Sequence, residues 1–287
     1  MPDIQSQDEQ PIEKRATLIL VTRDRAAEIE AALDAIELSV NRAELAVIVM
    51  DNGSVDGTGA ISDKFGEAIT YLKLPKNFGW VKAVNIAVRS AKTELVFILD
   101  PAVQLAPDAA RQLIAALDDN NDASAAVPAL TTASGEAVAI ARDLPAPGSL
   151  TPPMRKLAAG ENTVLFPPFK AFLLRKTFLK GMNFLDERFG DSWADAEICF
   201  QIRNAGKKIL VVSDAKAVLG AGVPPLEHEE FVEADFMQGA AIYIGKHWGM
   251  MNSIGYRASS ILGALVTFKL GLFFNLINGQ KIDGTHA

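Results

Sequence analysis

Residues 47–58, VIVMDNGSVDGT, decide the fold, because an apolar run ends on an aspartate and passes directly into turn residues. Its β-branched side chains predict a buried strand. The Asn, Gly, Ser and Asp that follow predict a tight connection into a helix, with free backbone N–H groups near the strand end. The segment is therefore typical of a strand–helix unit in an α/β protein.

The same alternation continues on both sides of this segment. Residues 16–22, ATLILVT, are a second apolar run that ends at a polar turn, and residues 26–38 repeat apolar side chains at helical spacing. Further helices are predicted over residues 60–65 and 81–90, and further strands over residues 69–74 and 94–100. Strands that alternate with helices predict a largely parallel sheet with right-handed crossovers and a ligand site beyond its carboxyl edge.

The second half of the chain is less regular. Pro107 lies in the first turn of a predicted helix that ends near residue 119, and residues 125–153 are rich in Ala, Pro and Gly without a sustained period. Irregular strands and a loop are expected there. Beyond them we predict a strand over residues 169–176, a helix over 192–206 and a closing strand over 207–212.

Composition excludes several classes of protein. The 287 residues carry 28 Lys+Arg against 35 Asp+Glu, a net charge of −7, which excludes a generally basic nucleic-acid coat, and no nucleic-acid partner is expected. Hydrophobic residues make up 49%, as in ordinary globular domains. The single cysteine, Cys199, excludes an internal disulfide and fits a reducing compartment. The first fifteen residues have no apolar core of a signal peptide, so a cytoplasmic location is expected.

Aspartates recur at the predicted strand ends. Asp24 follows the first strand, Asp51 ends the second and Asp100 ends the fourth. Because parallel strands end at one edge, these carboxylates are expected to converge, where they suit ribose hydroxyls, a nucleobase N–H or a hard cation. Each is equally explained as a turn former or a helix N-cap.

Several ordered blocks resemble a known family. VIVMDNGSVDGT, LPKNFGWVKAVNIAV and ELVFILDPAV resemble the nucleotide-sugar-binding half of family-2 inverting glycosyltransferases. LLRKTFL and FLDERFGDSWADAEICFQIRNAGKKILVV are similar to the acceptor side, and the likeness, over roughly residues 16–220, is greatest to the bacterial rhamnosyltransferase-like branch. It implies a GT-A-like α/β fold with a mostly parallel mixed sheet flanked by helices.

The resemblance also implies a donor site for a nucleotide sugar. The positions that match the nucleoside pocket are Thr22, Asp24 and Asp51. Gly79 and Lys82 match the loop and helix beside the diphosphate, where Lys82, with Arg23, would offset the charge of the leaving group. The alternative for Lys82 is an exposed lysine on a helix.

On the acceptor side, the resemblance assigns Asp195 as the base that takes the acceptor proton. Glu197 matches the next acid, and Trp193 is a platform on which a sugar ring stacks. A simpler alternative is that Asp195 and Glu197 only complement the positive end of the helix dipole.

Three departures from the family pattern concern a metal. The motif after the fourth strand is Asp100-Pro101-Ala102, Ala194 replaces the first acid of a pair, and Gly220 stands where many relatives have a histidine. Asp100 with phosphate oxygens would therefore hold Mg²⁺ or Mn²⁺ only weakly. His228 is a substitute ligand or, alternatively, a solvated side chain among acids.

Residues 254–277 form a long apolar segment in which small or polar residues recur every three or four positions, so one helix with a narrow polar stripe is predicted. Arg257, Lys269 and the glycines make a membrane-crossing span less plausible than an interfacial helix. Two partners are open: its own domain or a second subunit, giving a homo-oligomer, or the membrane surface.

These observations predict a disordered tail (1–15), a GT-A glycosyltransferase domain (16–225) and a helical extension (226–287). The expected function is inverting transfer of a sugar, of the hexosyl or rhamnosyl class, from a nucleotide sugar to a glycan or lipid-linked acceptor in polysaccharide biosynthesis, in the cytoplasm on the inner face of the membrane. A catalytically degenerate scaffold or binding subunit is the alternative. A nucleotidyltransferase is a third, without a glycine-rich triphosphate loop in its support.

Overall fold

The computed structural model describes residues 12–222 and 227–284. Over these residues one mixed sheet runs in the order β3-β2-β1-β4-β8-β6-β9-β5, and β7 pairs with β9. The strands are β1 (Ala16–Thr22), β2 (Leu45–Asp51), β3 (Thr70–Lys73), β4 (Leu95–Leu99), β5 (Val103–Leu105), β6 (Ala123–Thr132), β7 (Thr163–Val164), β8 (Ala171–Arg175) and β9 (Lys208–Leu219). The helices are α1 (Ala26–Glu37), α2 (Ile61–Phe65), α3 (Trp80–Ser90), α4 (Ala109–Asp118), α5 (Lys176–Gly181), α6 (Ala194–Asn204), α7 (Glu229–Trp248), α8 (Met250–Val266) and α9 (Leu270–Ile277).

The first half of the sheet is parallel, as predicted. β1 lies between β2 and β4, with Thr22 beside Asp51 and Leu20 beside Leu99. The three strands therefore end at one edge, and the residues that follow them meet there. This register is what gathers the strand-end aspartates into one region of the molecule.

The second half of the sheet contains the antiparallel pairs. β8 runs antiparallel to both β4 and β6, and β9 runs parallel to β6 and antiparallel to β5. The irregular strands expected from residue 125 include, in their first part, strand β6, whose pairing with β9 shifts register at residues 123–125 and 128–129. Its alanine-rich run is buried almost throughout, so burial between neighbouring layers rather than a side-chain period defines it.

Both faces of the parallel half are covered by helices. Leu18, Ile19 and Leu20 are successive residues of β1, and all three are fully buried. Because successive side chains of a strand point to opposite faces, this pattern requires a packed layer on each side. It explains why the strands appear in the sequence as continuous apolar runs.

The C-terminal helices form a layer beside the sheet. Tyr243 of α7 belongs to the main core, whereas Ala234, Ala264, Leu272 and Leu276 form a smaller separate cluster. The boundary predicted at residues 225/226 lies outside the described residues, as does most of the predicted N-terminal tail, residues 1–11.

The prediction of one continuous helix over residues 254–277 is wrong. The structure has two helices there, α8 and α9, separated at residues 267–269. The Thr267 hydroxyl donates to the carbonyl oxygen of Gly263 over 2.8 Å, and Phe268 adopts a left-handed φ of 56°. This turn folds the apolar segment back on itself and lets α7, α8 and α9 pack together.

We expect Gly53→Ala to destabilise the protein by about 1–3 kcal/mol, because Gly53 combines a φ of 84° with a backbone contact. A Cβ there would lie 2.6 Å from the Cα of Lys76. Gly57→Ala, in the same loop, is the matched control, since nothing lies within 4 Å of its Cβ position. Urea unfolding of both variants measures the difference, and equal stabilities would refute the assignment.

Candidate functional site

A cavity of about 480 Å³ opens at the carboxyl edge of the sheet, beyond β4. Its charged walls are three aspartates and two cations, and its apolar walls are mainly aromatic rings. The charged residues are Asp100, Arg142, Lys170, Asp191 and Asp195; the aromatic ones are Trp80, Phe166, Phe169, Trp193 and Phe236. A concave site with aromatic walls and a few converging charges is the usual form of a small-molecule site.

Asp195 stands in the first turn of α6 and faces this cavity. Its Oδ2 lies 3.4 Å from Nη2 of Arg142, whose guanidinium is stacked 3.5 Å from the ring centroid of Phe166. Burial raises the pKa of Asp195, and the charge of Arg142 opposes that shift only in part. A carboxylate with a raised pKa is a stronger base than an exposed one, which suits proton abstraction.

Asp100 is held between two cations. Lys170 Nζ donates to its Oδ2 over 2.6 Å, and Arg25 Nη2 donates to its Oδ1 over 2.9 Å. The Ala102 backbone N–H donates to the same Oδ1 over 2.9 Å. Burial opposes ionisation, but Lys170 and Arg25 outweigh it and lower the pKa of Asp100. The carboxylate is therefore ionised and has both oxygens engaged.

These residues do not fit a dedicated site for a divalent cation. Ala102 and Gly220 offer backbone atoms only, and the N–H of Gly220 donates to the carbonyl oxygen of Ala102 over 2.8 Å. Within residues 12–222 and 227–284 no group of three or more His, Cys, Asp or Glu side chains is arranged to hold a metal. Mg²⁺ and Mn²⁺ need several oxygen or nitrogen ligands, whereas Asp100 is already paired with the Lys170 ammonium and the Arg25 guanidinium groups.

Asp24 and Asp51 lie at the same edge but shape the loop after β2. Asp51 is fully buried and accepts hydrogen bonds from the Ser54 N–H, over 2.7 Å, and from the Tyr71 hydroxyl. Asp24 accepts from the N–H groups of Val55 and Asp56 over 2.7 and 3.0 Å. The two carboxylates fix residues 51–56. Thr22, also buried, has a hydroxyl without a partner among the described residues.

Arg23, Gly79 and Lys82 lie beside the C-terminal segment, residues 280–284. Arg23 pairs with Glu227 at a second cavity of about 650 Å³, which His228 and Lys281 also line. Lys82 Nζ donates to the carbonyl oxygen of Asp283 over 3.0 Å.

Gly79, with a φ of 81°, meets the carbonyl group of Ile282, so close that a Cβ would overlap it. The C-terminal segment thus lies across the start of α3, where the resemblance expects the diphosphate.

Trp193 and Glu197 have different surroundings, although both were expected on the acceptor side. Trp193 lines the cavity and packs against Phe236 and Tyr243, each at a ring-centroid distance of 5.3 Å. Glu197 is buried and accepts from Lys246 Nζ over 2.7 Å and from His247 Nε2 over 2.6 Å.

In the structure the Glu197 carboxylate joins α6 to α7, and its contact with an acceptor stays a prediction. Its position follows from helix geometry, because residues two apart on a helix point to nearly opposite sides.

Sequence reasoning missed Asp191 and the cations of the cavity. The Trp80 N–H donates to Asp191 Oδ1 over 2.6 Å. Although its side chain opens into the cavity, partial enclosure and the nearby charges of Asp235 and Glu227 raise the pKa of Asp191 to about 7. Its position four residues before Asp195 was the available signal; for Lys170 it was a lysine at the start of a buried strand.

Comparison with known families identifies the family to which the chain belongs. Residues 17–181, more than half of the chain, match the family described as glycosyl transferase family 2. The chain belongs to glycosyl transferase family 2. No curated protein sequence matches this glycosyltransferase.

Solved structures share the fold of this glycosyltransferase at low identity. GalNAc-T7 with UDP, GalNAc and Mn²⁺ has a TM-score of 0.65 at 13% identity over 80% of this chain and 47% of its own. S. aureus TarS 1–349 with UDP-GlcNAc has 0.62 at 16%, over 83% and 69%. The Pyrobaculum calidifontis mannosyltransferase PcManGT with GDP-Man and Mn²⁺ has 0.59 at 18%, over 94% and 83%. The expected GT-A-like fold is confirmed, and the chain spans about half the length of the GalNAc-T7 chain.

We expect Glu197→Gln in this glycosyltransferase to lower the free energy of unfolding by about 2 kcal/mol, because it removes the buried charge that contacts both Lys246 and His247 and leaves Lys246 paired with Asp186 alone. Urea unfolding at pH 7 measures the loss. Glu233→Gln is the control, since the pair of Glu233 with Lys269 is exposed and contributes little. An unchanged midpoint for Glu197→Gln would show that the buried network is not structural.

Proposed function

We propose that this protein transfers a sugar, with inversion, from a nucleotide-sugar donor to a glycan or lipid-linked acceptor. The observation that carries the proposal is that Asp100 and Asp195 line one cavity at the edge where β1, β2 and β4 end. Two roles are needed at such a site: a base for the acceptor and a charged region for the departing diphosphate. Asp195 would supply the base, and the cations paired with Asp100 would supply the charged region.

Membership of the family supports a nucleotide sugar as the donor. The base and the sugar of that donor differ among the neighbouring structures. The neighbouring structures contain UDP, UDP-GlcNAc or GDP-Man, which share a nucleoside diphosphate but differ in base and sugar. In this chain Thr22, Asp24 and Asp51 would bound the nucleoside side through the loop they fix. Gly79, Lys82 and Arg23 would approach the diphosphate only once residues 282–283 and Glu227 give way. A rhamnosyl or hexosyl group is the sugar we expect from the sequence blocks.

The reaction is an in-line displacement at the anomeric carbon. Asp195 takes the proton of the acceptor hydroxyl as the new oxygen–carbon bond forms, and the bond to the diphosphate oxygen breaks on the opposite face. The electron pair of that bond leaves with the nucleoside diphosphate. Trp193 and Trp80 offer ring faces and edges to a sugar on the acceptor side.

Three departures from the family pattern favour a second candidate function, that of a catalytically degenerate subunit. Ala102, Ala194 and Gly220 remove ligands that many relatives carry. The retention of a half-buried, cavity-facing Asp195 favours the enzyme, since a carboxylate with a raised pKa costs stability and this one is held only by its neighbouring Ala196 N–H and by Arg142 among the described residues.

We further propose that helices α8 and α9 lie on the cytoplasmic surface of a membrane. Met250, Met251, Phe268, Leu270 and Phe274 are each more than half exposed. Residues 250–282 carry three cationic side chains in a chain of net charge −7: Arg257, Lys269, which pairs with Glu233, and Lys281, which pairs with Asp283. Apolar side chains with interspersed cations suit an anionic lipid surface. Among the helices that the structure describes, none has both the length and the hydropathy that a bilayer span requires.

We expect Asp195→Asn to reduce sugar transfer by about 100-fold or more, because it removes the base but keeps the size of the side chain. Release of nucleoside diphosphate from UDP-, GDP- and dTDP-sugars in the presence of glycan and lipid-linked acceptors measures turnover. Nucleotide binding by calorimetry should remain within a few-fold of the unmodified protein. Asp214→Asn, on the exposed part of β9, is the control. Equal turnover in Asp195→Asn would remove its assigned role.

We expect the double variant Phe268→Ser, Leu270→Ser to lose most of its binding to anionic vesicles, since Phe268 is 85% and Leu270 55% exposed. Cosedimentation with phosphatidylglycerol vesicles measures this, and vesicles of phosphatidylcholine alone should bind weakly. Val55→Ser is the control, because Val55 is 91% exposed but belongs to the loop after β2. Equal binding of all three proteins would reject the surface, and dimerisation in the absence of lipid would assign the face to a second copy instead.

A further inference from the structure

The cavity contains a cation that neither the family resemblance nor the proposed function assigns. Lys170 precedes β8, lines the cavity wall and uses its ammonium group to donate to Asp100. Its side chain is 43% exposed, so N–H groups not engaged by Asp100 are accessible to a ligand in the cavity that Asp100 and Asp195 also line. An ammonium group with free donors in a partly enclosed site is suited to bind an anion.

The position of the Lys170 ammonium group is fixed by its hydrogen bond to Asp100, which is itself held by other donors. Asp100 accepts from Lys170 on one oxygen and from Arg25 and the Ala102 N–H on the other. Arg25 is in turn paired with Glu28, so its guanidinium is held on two sides. Asp100 and Arg25 therefore act as positioning residues, while Lys170 is the group that a ligand in the cavity would touch.

The two cations expected near the diphosphate and the second cation of the cavity are less available than Lys170. Lys82 donates to the Asp283 carbonyl oxygen, and Arg23 is paired with Glu227. Arg142 faces Asp195 and is stacked on Phe166, which places its charge beside the proposed base. Of the two cations that line the cavity, Lys170 is therefore the one paired with Asp100. Asp100 follows β4 and begins the Asp100-Pro101-Ala102 motif.

We propose that the Lys170 ammonium, oriented by Asp100 and Arg25, binds the diphosphate of the donor in place of a divalent cation. The inference rests on the proposed function and deepens it. When the anomeric carbon–oxygen bond breaks, its electron pair passes to the terminal phosphate oxygen, and Lys170 offsets that charge while Asp195 receives the acceptor proton. No ion is consumed or required in this balance.

Nucleoside diphosphate binding tests the proposal without turnover. Calorimetry with UDP, GDP and dTDP, each in EDTA and in Mn²⁺, is the measurement. We expect one of the three to bind in EDTA, and Mn²⁺ to change its affinity by less than about threefold. Lys170→Met should weaken that binding by about 10-fold or more, since it removes a charge-assisted contact. Lys170→Arg should restore part of it, and Lys156→Met, on an exposed loop, is the control.

Asp100→Asn separates the two kinds of site. An aspartate that ligates a metal supplies a charged oxygen, so its amide would strongly weaken the binding that depends on Mn²⁺. An aspartate that only orients Lys170 can be replaced, so we expect Asp100→Asn to bind in EDTA within about fivefold of the unmodified protein, a smaller change than the Lys170→Met loss. Thermal melting of each variant establishes that it is folded.

The possible results have separate meanings. Binding that appears only with Mn²⁺ and disappears in Asp100→Asn would overturn the role of Lys170 and leave the proposed function intact. Binding in EDTA that Lys170→Met does not weaken would also overturn it. Failure of all three nucleotides to bind in either condition would reject the proposed function itself, and the inference with it.

Discussion

Every part of the site depends on the register in which β1 lies between β2 and β4. Because the three strands are parallel and end together, residues 24, 51 and 100 reach one edge although they are far apart in sequence. A shift by one residue would turn each strand's side chains to the opposite face and separate the carboxylates from the loops they hold. The buried apolar runs on both faces of the sheet make such a shift costly, so the core itself fixes the chemistry at its rim.

The carboxylates at this edge have different tasks despite their common position. Asp51 and Asp24 satisfy backbone N–H groups of one loop, and Asp100 orders two cations. A buried carboxylate needs such partners, since an ionised group without them would raise its pKa and lose its charge. The strand-end aspartates therefore organise the site, whereas Asp195, which accepts from the Ala196 N–H and faces Arg142, keeps a raised pKa that suits proton abstraction.

The sequence was sufficient for the parallel half of the fold and for the acids at its edge, because apolar runs and turn residues are local signals. It was insufficient for Lys170, Arg25 and Arg142, whose meeting depends on which loops cross the edge, a matter of tertiary packing. Glu197 was expected on the acceptor side from its match to a family position. Its spacing of two from Asp195 on α6 places it on a different face of the helix, toward α7. The break between α8 and α9 was missed because a stripe of small residues persists through a turn.

The ion pairs of Glu197 have a mechanical consequence. Lys246 and His247 of α7 bind the carboxylate of Glu197. Glu197 lies two residues after the proposed base, Asp195, on α6. α7 also packs against α8 and α9, whose outer faces are apolar. Because α6 is joined to α7, and α7 packs against α8 and α9, the tilt of α8 and α9 on a surface would set the direction in which the mouth of the cavity points. An acceptor anchored in that surface would then arrive at Asp195 from a fixed height and angle.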